Sequence, residues 1–139
     1  MHSLLLFVIL WGSVIAAFFY LNVVETYYDS KILEIKEAMI KVDPRAANIT
    51  YSAGDSSYTI DKNNTYLCLR HKDTKEYYDT PMLIYVALHE LAHSISKSVD
   101  PNHTSKEFND NFKMLKMKAK DIGIYDPNMK IDYNYCPQN

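Results

Sequence analysis

The sequence predicts an α+β domain that follows a single N-terminal transmembrane helix. Three observations carry this prediction: an uncharged apolar run over residues 3–24, helical periodicity in three later segments, and two short β-rich runs between the first two of these. We therefore place the transmembrane anchor at 1–24 and one folded domain at 25–139. A chain of about 115 residues is close to the commonest domain size and can enclose a single core.

The apolar run at the N-terminus is long enough to cross a bilayer. As a helix, residues 3–24 would span about 33 Å, which exceeds the thickness of the hydrocarbon core. The alternative is a cleaved signal peptide, because Val14-Ile-Ala16 is similar to a small-residue cleavage site. The run continues beyond that site without a polar break, and no Lys or Arg precedes it. We therefore predict a single-pass membrane protein with an uncleaved anchor.

The side of the membrane that holds the domain is left open by the sequence. Four basic residues after the span favour a cytosolic domain by the positive-inside rule; they are Lys31, Lys36, Lys41 and Arg45. Three Asn-x-Thr sequons would fit a lumenal domain instead; they begin at Asn48, Asn63 and Asn102. Cys68 and Cys136 permit one disulfide without requiring it.

The charge balance argues against a direct nucleic-acid partner. The formal net charge is −2, and every Lys, Arg, Asp and Glu lies in the folded domain. Four lysines fall between residues 113 and 120, a pattern that is typical of the solvated face of a helix. The sequence therefore lacks the basic footprint of a nucleic-acid-binding protein.

The first helix of the domain is predicted over residues 25–42, because its apolar residues recur at helical spacing. Its predicted buried face consists of Tyr28, Ile32, Ile35, Met39 and Val42. Pro44 stops the pattern. We expect this helix either to continue the transmembrane helix or to bend near residues 22–26.

A small antiparallel β-hairpin is predicted next. The runs 58–60 and 65–70 are rich in β-branched and aromatic residues, and residues 61–64 between them are polar. Residues 46–57 are small and polar, which indicates a loop or a weak strand. If an extended peptide substrate pairs with a strand, the run 65–70 is the best candidate for that strand.

A helix over residues 80–97 carries the main functional signal. Thr80 is suited to cap it, the proline that follows suits a first turn, and no later glycine or proline interrupts it. On this helix His89 and His93 would be about 40° apart around the axis and about 6 Å apart along it, so both imidazoles can reach one metal ion. Glu90 is then placed to take a proton from a metal-activated water rather than to bind the metal.

The remaining faces of this predicted helix are apolar, so most of it is expected to be buried. Two histidines and a glutamate in such a helix are costly to desolvate unless they have partners, and a metal ion would supply one. The alternative is a pair of core-edge histidines that bind no metal. The burial of the helix favours the metal.

A second core helix is predicted beyond the break at Pro101. Thr104 and Glu107 have the spacing of a capping box, and Gly123 fits the position just past the helix end. The apolar stripe of this helix consists of Phe108, Phe112, Leu115, Ala119 and Ile122.

The third metal ligand is predicted to be His103. Catalytic zinc usually has three protein ligands and one open position. His103 lies just before the second core helix, where the returning chain can face the two helical histidines. Glu107, Asp100 and His71 are the alternatives.

These residues predict a hydrolytic mechanism. With Zn²⁺ on His89, His93 and His103, a metal-activated water would attack a peptide carbonyl, and Glu90 would act as general base and then protonate the leaving amine. Tyr85 or Tyr125 could assist at the oxyanion, although a structural role is the more ordinary interpretation for each.

Four runs occur in a fixed order along the chain: Tyr66-Leu-Cys-Leu-Arg70, Tyr77-Tyr-Asp79, Leu83-Ile-Tyr-Val-Ala-Leu-His-Glu-Leu-Ala-His93 and His103-Thr-x-x-Glu-Phe108. In this combination the chain resembles the WLM-type minimal zincins, relatives of the SprT-like gluzincins, and above all their small membrane-anchored versions from large DNA viruses. The resemblance covers roughly residues 58–136.

The resemblance implies a compact α+β metallopeptidase fold with zinc on His89, His93 and His103 and with Glu90 as the catalytic residue. Two positions depart from the group. Asn102 stands where the group has glycine, and Pro137 stands where the group is expected to have glycine, directly after Tyr135-Cys136.

We therefore predict a membrane-anchored zinc peptidase that acts on a protein or peptide substrate. A first alternative is a non-catalytic zincin-fold protein with a structural zinc, serving the structure or membrane assembly of a virion. A second alternative is an amidase that acts on lipids or small peptides with the same chemistry.

Overall fold

The computed structural model describes residues 1–27 and 29–136, apart from the side chains of residues 2 and 22–27. The elements in chain order are α1 (His2–Tyr27), α2 (Ser30–Val42), a short 3₁₀ helix (Pro44–Asn48), β1 (Thr50–Ala53), β2 (Tyr58–Ile60), β3 (Asn64–Leu67), α3 (Thr80–Ile95) and α4 (Lys106–Asp121). The predicted α+β class is confirmed within these residues. The predictions that concern Tyr28 and Pro137 lie outside them.

Helix α1 is apolar enough over Ser3–Leu21 to span a membrane, and none of that window is buried in the protein. Length and composition fit a membrane anchor and a signal sequence equally. The first buried residue after α1 in the described chain is Ile32. Among the described side chains, the core of the domain therefore begins with α2.

The break between α1 and α2 comes later than the predicted bend near residues 22–26. Asp29 is the N-cap of α2, and its Oδ1 accepts a hydrogen bond from Lys31 N at 2.9 Å. A capping carboxylate at this position starts a new helix. The buried face of α2 is Ile32, Ile35, Met39 and Val42, as the periodicity predicts. Pro44 then opens the 3₁₀ helix.

The three strands form one sheet in the order β1-β3-β2. The predicted hairpin is confirmed, because β2 and β3 pair antiparallel with Tyr58 opposite Tyr66. Strand β1 arises from the segment predicted as a loop or weak strand, and it pairs parallel with β3. The predicted strand 65–70 is too long, since β3 ends at Leu67 and Arg70 makes only an isolated bridge to Tyr77.

The start and end of α3 differ slightly from the prediction. Asp79 is the N-cap, so Thr80 is the first helical residue and not the cap. The helix ends at Ile95 rather than at 97, because Ser96 adopts extended backbone and its Oγ donates to Ala92 O at 2.7 Å. A hydroxyl that bonds the preceding turn competes with continuation of the helix.

The predicted capping box of α4 is wrong. Ser105, not Thr104, is the N-cap, and its Oγ accepts from Phe108 N at 3.2 Å. Gly123 has a φ of 76° just after the helix, as predicted for a residue that ends a helix. Ile122 was predicted in the buried stripe and is 51% exposed, because the helix has already ended there.

Helix α3 is the centre of the domain and contacts α2, α4, β2 and β3. The largest side chains that are fully buried are Phe108, Ile35, Met39, Leu67, Leu83, Leu88, Leu91 and Leu115. The described tail after α4 has no helix or strand but is packed, and Cys136 in it is disulfide-bonded to Cys68. One core therefore fixes the helix that carries the two predicted ligands.

Candidate metal centre

Helix α3 holds His89 and His93 at the solvent side of the core. Leu88 and Leu91 anchor the helix and are fully buried. The ring of Phe108 from α4 packs against both imidazoles, with ring centroids 5.1 Å from His89 and 4.4 Å from His93. The two rings therefore have little freedom to turn away from one another.

His103 completes a cluster of three imidazoles. Its Nε2 lies 3.1 Å from His89 Nε2 and 3.0 Å from His93 Nε2. Nitrogen ligands at the usual zinc distance in a tetrahedral site are about 3.3 Å apart. All three side chains can offer one nitrogen to the same ion. Two of the three nitrogen pairs are thus close to the separation in a tetrahedral site, and all three donor atoms lie within 4.8 Å of one another.

Residues 96–105, which we call the histidine loop, hold His103 in an unusual backbone conformation. Its φ is 56°, which is uncommon for a residue other than glycine. Asp100 Oδ2 accepts from Ser105 N at 2.7 Å, and Asn109 Nδ2 donates to His103 O at 3.0 Å. The positive φ falls on His103 rather than on Asn102, so this loop does not need the glycine that the zincin group has at 102.

Two charged side chains fasten the start of the histidine loop. Glu107 accepts from Lys97 N at 2.8 Å and from Ser98 N at 3.2 Å. Lys62, in the turn between β2 and β3, donates from Nζ to His93 O at 2.9 Å and to Ser98 O at 2.7 Å. The loop is therefore bound to both the hairpin and α4.

The other three candidate ligands have structural tasks. The ring of His71 packs on Tyr78, with centroids 3.8 Å apart. Backbone N–H groups lower the pKa of Asp100, chiefly the amide of Ser105, and the amide of Lys97 does the same for Glu107. Of the four candidates, the structure brings only His103 to the helical pair, within the described residues.

Glu90 lies beside the cluster and is almost completely buried, with 5% of its surface exposed. Its Oε2 accepts a hydrogen bond of 2.8 Å from Thr59 Oγ1 on β2. Burial raises the pKa of Glu90 to about 7, and the bond from Thr59 acts in the opposite direction. This carboxylate is thus oriented by the neighbouring strand.

Burial also favours the neutral form of the two helical histidines. Desolvation lowers the pKa of His89 to about 4, and the neighbouring imidazoles of His93 and His103 add to the effect. Desolvation and then His103 and Lys62 lower the pKa of His93 to about 4. Neutral imidazole is the form that binds metals.

An open cleft of about 630 Å³ leads to these residues. Strand β2 forms one wall and the histidine loop forms the other, with His89, Glu90 and His93 between them. The strand at the cleft is therefore β2, and not the run 65–70 that we predicted as the best candidate for pairing with an extended peptide. Because β3 pairs on both sides, it has no free edge.

Neither tyrosine considered for the oxyanion lines the cleft. Tyr85 packs against Phe112 and Tyr125, with centroids 5.6 and 6.4 Å away. Sequence reasoning missed Thr59 and Lys62, which do line the cleft. Their contacts cross from the hairpin to α3, and no local pattern in the sequence signals such contacts.

The chain is similar to three viral proteins. It is 39% identical over 93 residues to uncharacterized protein 136R of Invertebrate iridescent virus 6, covering 66% of this chain and 51% of that protein. It is 36% identical over 93 residues to uncharacterized protein 042R of Invertebrate iridescent virus 3, covering 64% of this chain and 54% of that protein. It is also 37% identical over 83 residues to uncharacterized protein R325 of Acanthamoeba polyphaga mimivirus, covering 59% of this chain and 39% of that protein.

The chain thus spans about half the length of the two iridescent virus relatives and less of the third. No family model matches this sequence, and no solved structure matches it. The zincin assignment therefore stays a prediction. It rests on the geometry of the three histidines and Glu90.

Proposed function

We propose that this chain is a membrane-anchored zinc peptidase with a minimal zincin fold, in which His89, His93 and His103 bind zinc and Glu90 is the general base. One observation carries the proposal. Three imidazole nitrogens from two separate segments converge at 3.0 and 3.1 Å in a cleft, beside a buried carboxylate.

The donor set supports zinc and a catalytic type of site. Imidazole is a preferred ligand of zinc, and three protein ligands with one open position are usual for catalytic zinc. Structural zinc sites are usually closed by four protein ligands, whereas these histidines line an open cleft. This contrast is the reason for preferring the peptidase to the structural alternative.

Zinc, Glu90 and Thr59 have different roles in the proposed reaction. Zinc, when bound, supplies Lewis acidity, which lowers the pKa of a water and polarises a carbonyl. Glu90 accepts the proton of the attacking water on its carboxylate and returns it to the leaving amine. Thr59 donates to Glu90 Oε2 and fixes the direction in which the carboxylate points.

The edge strand β2 is the proposed binding strand for an extended peptide. It lines the cleft, and its other edge is already paired with β3. A peptide that adds to the free edge gains main-chain hydrogen bonds, and its side chains alternate above and below. Tyr58 and Ile60, 42% and 45% exposed, would contact those side chains.

Metal content and cleavage of the full-length chain in detergent micelles test the proposal together. We expect one zinc per chain in the wild type and in Glu90→Gln, and loss of zinc in His103→Ala. A peptide library should be cleaved by the wild type alone among these three. His71→Ala is the matched control, since this histidine packs on Tyr78 and lies outside the cluster.

Two outcomes would reject the peptidase. The first is a folded wild-type chain without stoichiometric zinc. The second is cleavage that Glu90→Gln leaves intact. Stoichiometric zinc without cleavage of any peptide, but with release of amines from lipids or small amides, would support the amidase instead.

A further inference from the structure

The structure contains a disulfide that joins the sheet to the C-terminal tail. Cys68 and Cys136 are 68 residues apart in sequence, and their Cα atoms are 6.3 Å apart. Both cysteines are buried, with 3% and 7% of their surface exposed. Disulfides persist in oxidising compartments and are rare where cytosolic thiols are kept reduced. The bond therefore bears on the compartment that holds the domain.

Four hydrogen bonds surround this disulfide. Tyr135 OH donates to Cys68 O at 2.5 Å, and Cys68 N donates to Ser57 Oγ at 2.9 Å. Ser57 Oγ lies 2.7 Å from Tyr135 OH and, with the phenol proton already used, is the donor in that bond. Cys136 N donates to Tyr78 OH at 2.9 Å. These bonds fix the backbone at both cysteines and hold the two residues side by side.

The three sequons also bear on the compartment that holds the domain, independently of the disulfide. Asn48, Asn63 and Asn102 all have exposed side chains. Asn48 ends the 3₁₀ helix, Asn63 lies in the turn before β3, and Asn102 lies in the histidine loop. An N-glycan needs an exposed asparagine in a chain that enters the secretory lumen. All three positions meet the structural condition.

Helix α1 fits this compartment whether or not it is cleaved. An anchor with its short N-terminus in the cytosol and a cleaved signal sequence both deliver the following domain to the lumen. Three lysines within about 20 residues of the span favour the opposite side. That rule is weak for whole domains, which are translocated largely regardless of charge. The disulfide and the sequons are the stronger indicators.

The sequons differ in their relation to the cleft. Asn102 directly precedes His103, and Asn63 directly follows Lys62, which lines the cleft. A branched glycan at either position would crowd the approach to the histidines. Asn48 does not line the cleft, nor does either of its neighbours. A glycan there leaves the cleft open.

We propose that the folded domain lies on the lumenal or extracellular side of the membrane, with Cys68–Cys136 as a structural disulfide and Asn48 as an N-glycan acceptor. The location is independent of zinc and of peptidase activity, whereas the choice of Asn48 among the three sequons rests on the proposed function of the cleft. This location means that the cleft faces proteins or peptides outside the cytosol.

Cell-free synthesis of the full chain with endoplasmic reticulum microsomes tests the location. A C-terminal epitope tag should resist protease in intact vesicles and be digested after detergent is added. In denaturant, which exposes both buried positions, maleimide-polyethylene glycol should label neither cysteine before reduction and both after it. Digestion of the tag in intact vesicles would overturn the location, and labelling of both thiols before reduction would overturn the disulfide.

The same samples test the acceptor. We expect a mobility shift that an endoglycosidase removes and that is smaller by one glycan in Asn48→Gln and in Thr50→Ala. Thr50→Ser keeps the sequon and is the matched control, so the shift should remain. A protected chain that shows no shift, or whose shift is the same in Asn48→Gln as in the wild type, would overturn the assignment to Asn48.

Discussion

The two halves of the candidate metal centre are held by different forces. Helix α3 carries His89 and His93, and its other faces are packed in the apolar core. The histidine loop carries His103 and is held by polar contacts from Asp100 and Asn109. Burial of a leucine is worth about 2 kcal/mol, whereas a single hydrogen bond typically adds about 1 kcal/mol. The helical half is therefore set by folding, and the loop half by a small local network.

This difference has a consequence for mutations. Changes in the core below α3 should reduce the stability of the whole domain and leave the metal site of folded molecules as it was. Changes in the network of the histidine loop should reduce metal affinity and leave global stability nearly unchanged, because the loop contributes little to the core. The predictions that follow separate these two quantities.

The largest effect on stability is expected for Leu83→Ala in α3. Leu83 is 1% exposed and lies more than one helical turn from His89. Truncation of a buried leucine costs about 2–5 kcal/mol. We expect the free energy of unfolding to fall by that amount in urea titrations followed by circular dichroism.

The control for this change is Leu33→Ala, since Leu33 is 46% exposed on α2. It should change the free energy of unfolding by less than about 0.5 kcal/mol. Zinc affinity, measured on folded Leu83→Ala by competition with a chromophoric chelator, should equal that of the wild type. A large loss of affinity would show that the two halves are not independent.

Asp100→Asn should weaken zinc binding. The carboxylate of Asp100 accepts from Ser105 N and from Thr104 Oγ1, the two residues that directly follow His103, and so closes the turn that contains this ligand. Residues that orient a metal ligand typically change affinity by about 10–100-fold when mutated. We expect a loss in this range by chelator competition, with almost the same melting temperature for the metal-free protein.

Asp110→Asn is the matched control for Asp100→Asn. Asp110 is an exposed acid on α4 that pairs with Lys106, away from the histidine loop. It should leave zinc affinity unchanged. If both variants weaken binding equally, the effect comes from net charge and not from the position of His103.

The smallest effect is expected for Asp43→Asn, which is remote from both halves. Asp43 accepts from Arg45 Nε at 2.9 Å and from Nη2 at 2.7 Å, and these bonds lower its pKa. A lowered pKa in the folded state stabilises the protein above the unfolded pKa of about 4, and the contribution is lost as the pH falls through the folded value.

The wild type should therefore be more stable than Asp43→Asn by about 1 kcal/mol at pH 7, because Arg45 is largely exposed and solvent weakens the pair. The difference in free energy of unfolding should shrink as the pH is lowered through 4 and then disappear. A difference that persists unchanged at pH 2 would contradict this origin.

The helical half of the site could be predicted from the sequence because its signals are local. The spacing of His89 and His93 and the apolar faces around them are properties of one helix. The β-hairpin could be predicted for the same reason. His103 could also be predicted as a ligand, because it lies just before a helix that must pack against α3.

The hydrogen bonds that hold the histidine loop could not be predicted from local patterns, because most of them join residues that are distant in sequence. Ser105 is the N-cap rather than Thr104, and both are hydroxyl residues that can serve. Glu107 accepts from Ser98 N, and Lys62 of the hairpin donates to His93 O near the end of α3. Strand β2 lies at the edge of the sheet because β1 pairs with the other side of β3. This arrangement could not be predicted, since β1 is short and polar.

X-ray absorption at the zinc edge of the metal-loaded full-length chain is the most direct test of the three-histidine site. The account predicts about three imidazole nitrogens near 2.0–2.1 Å with one further light-atom ligand. It also predicts one imidazole fewer in any zinc that His103→Ala retains. A spectrum with sulfur ligands, with fewer than three imidazoles in the wild type, or unchanged in His103→Ala would contradict it.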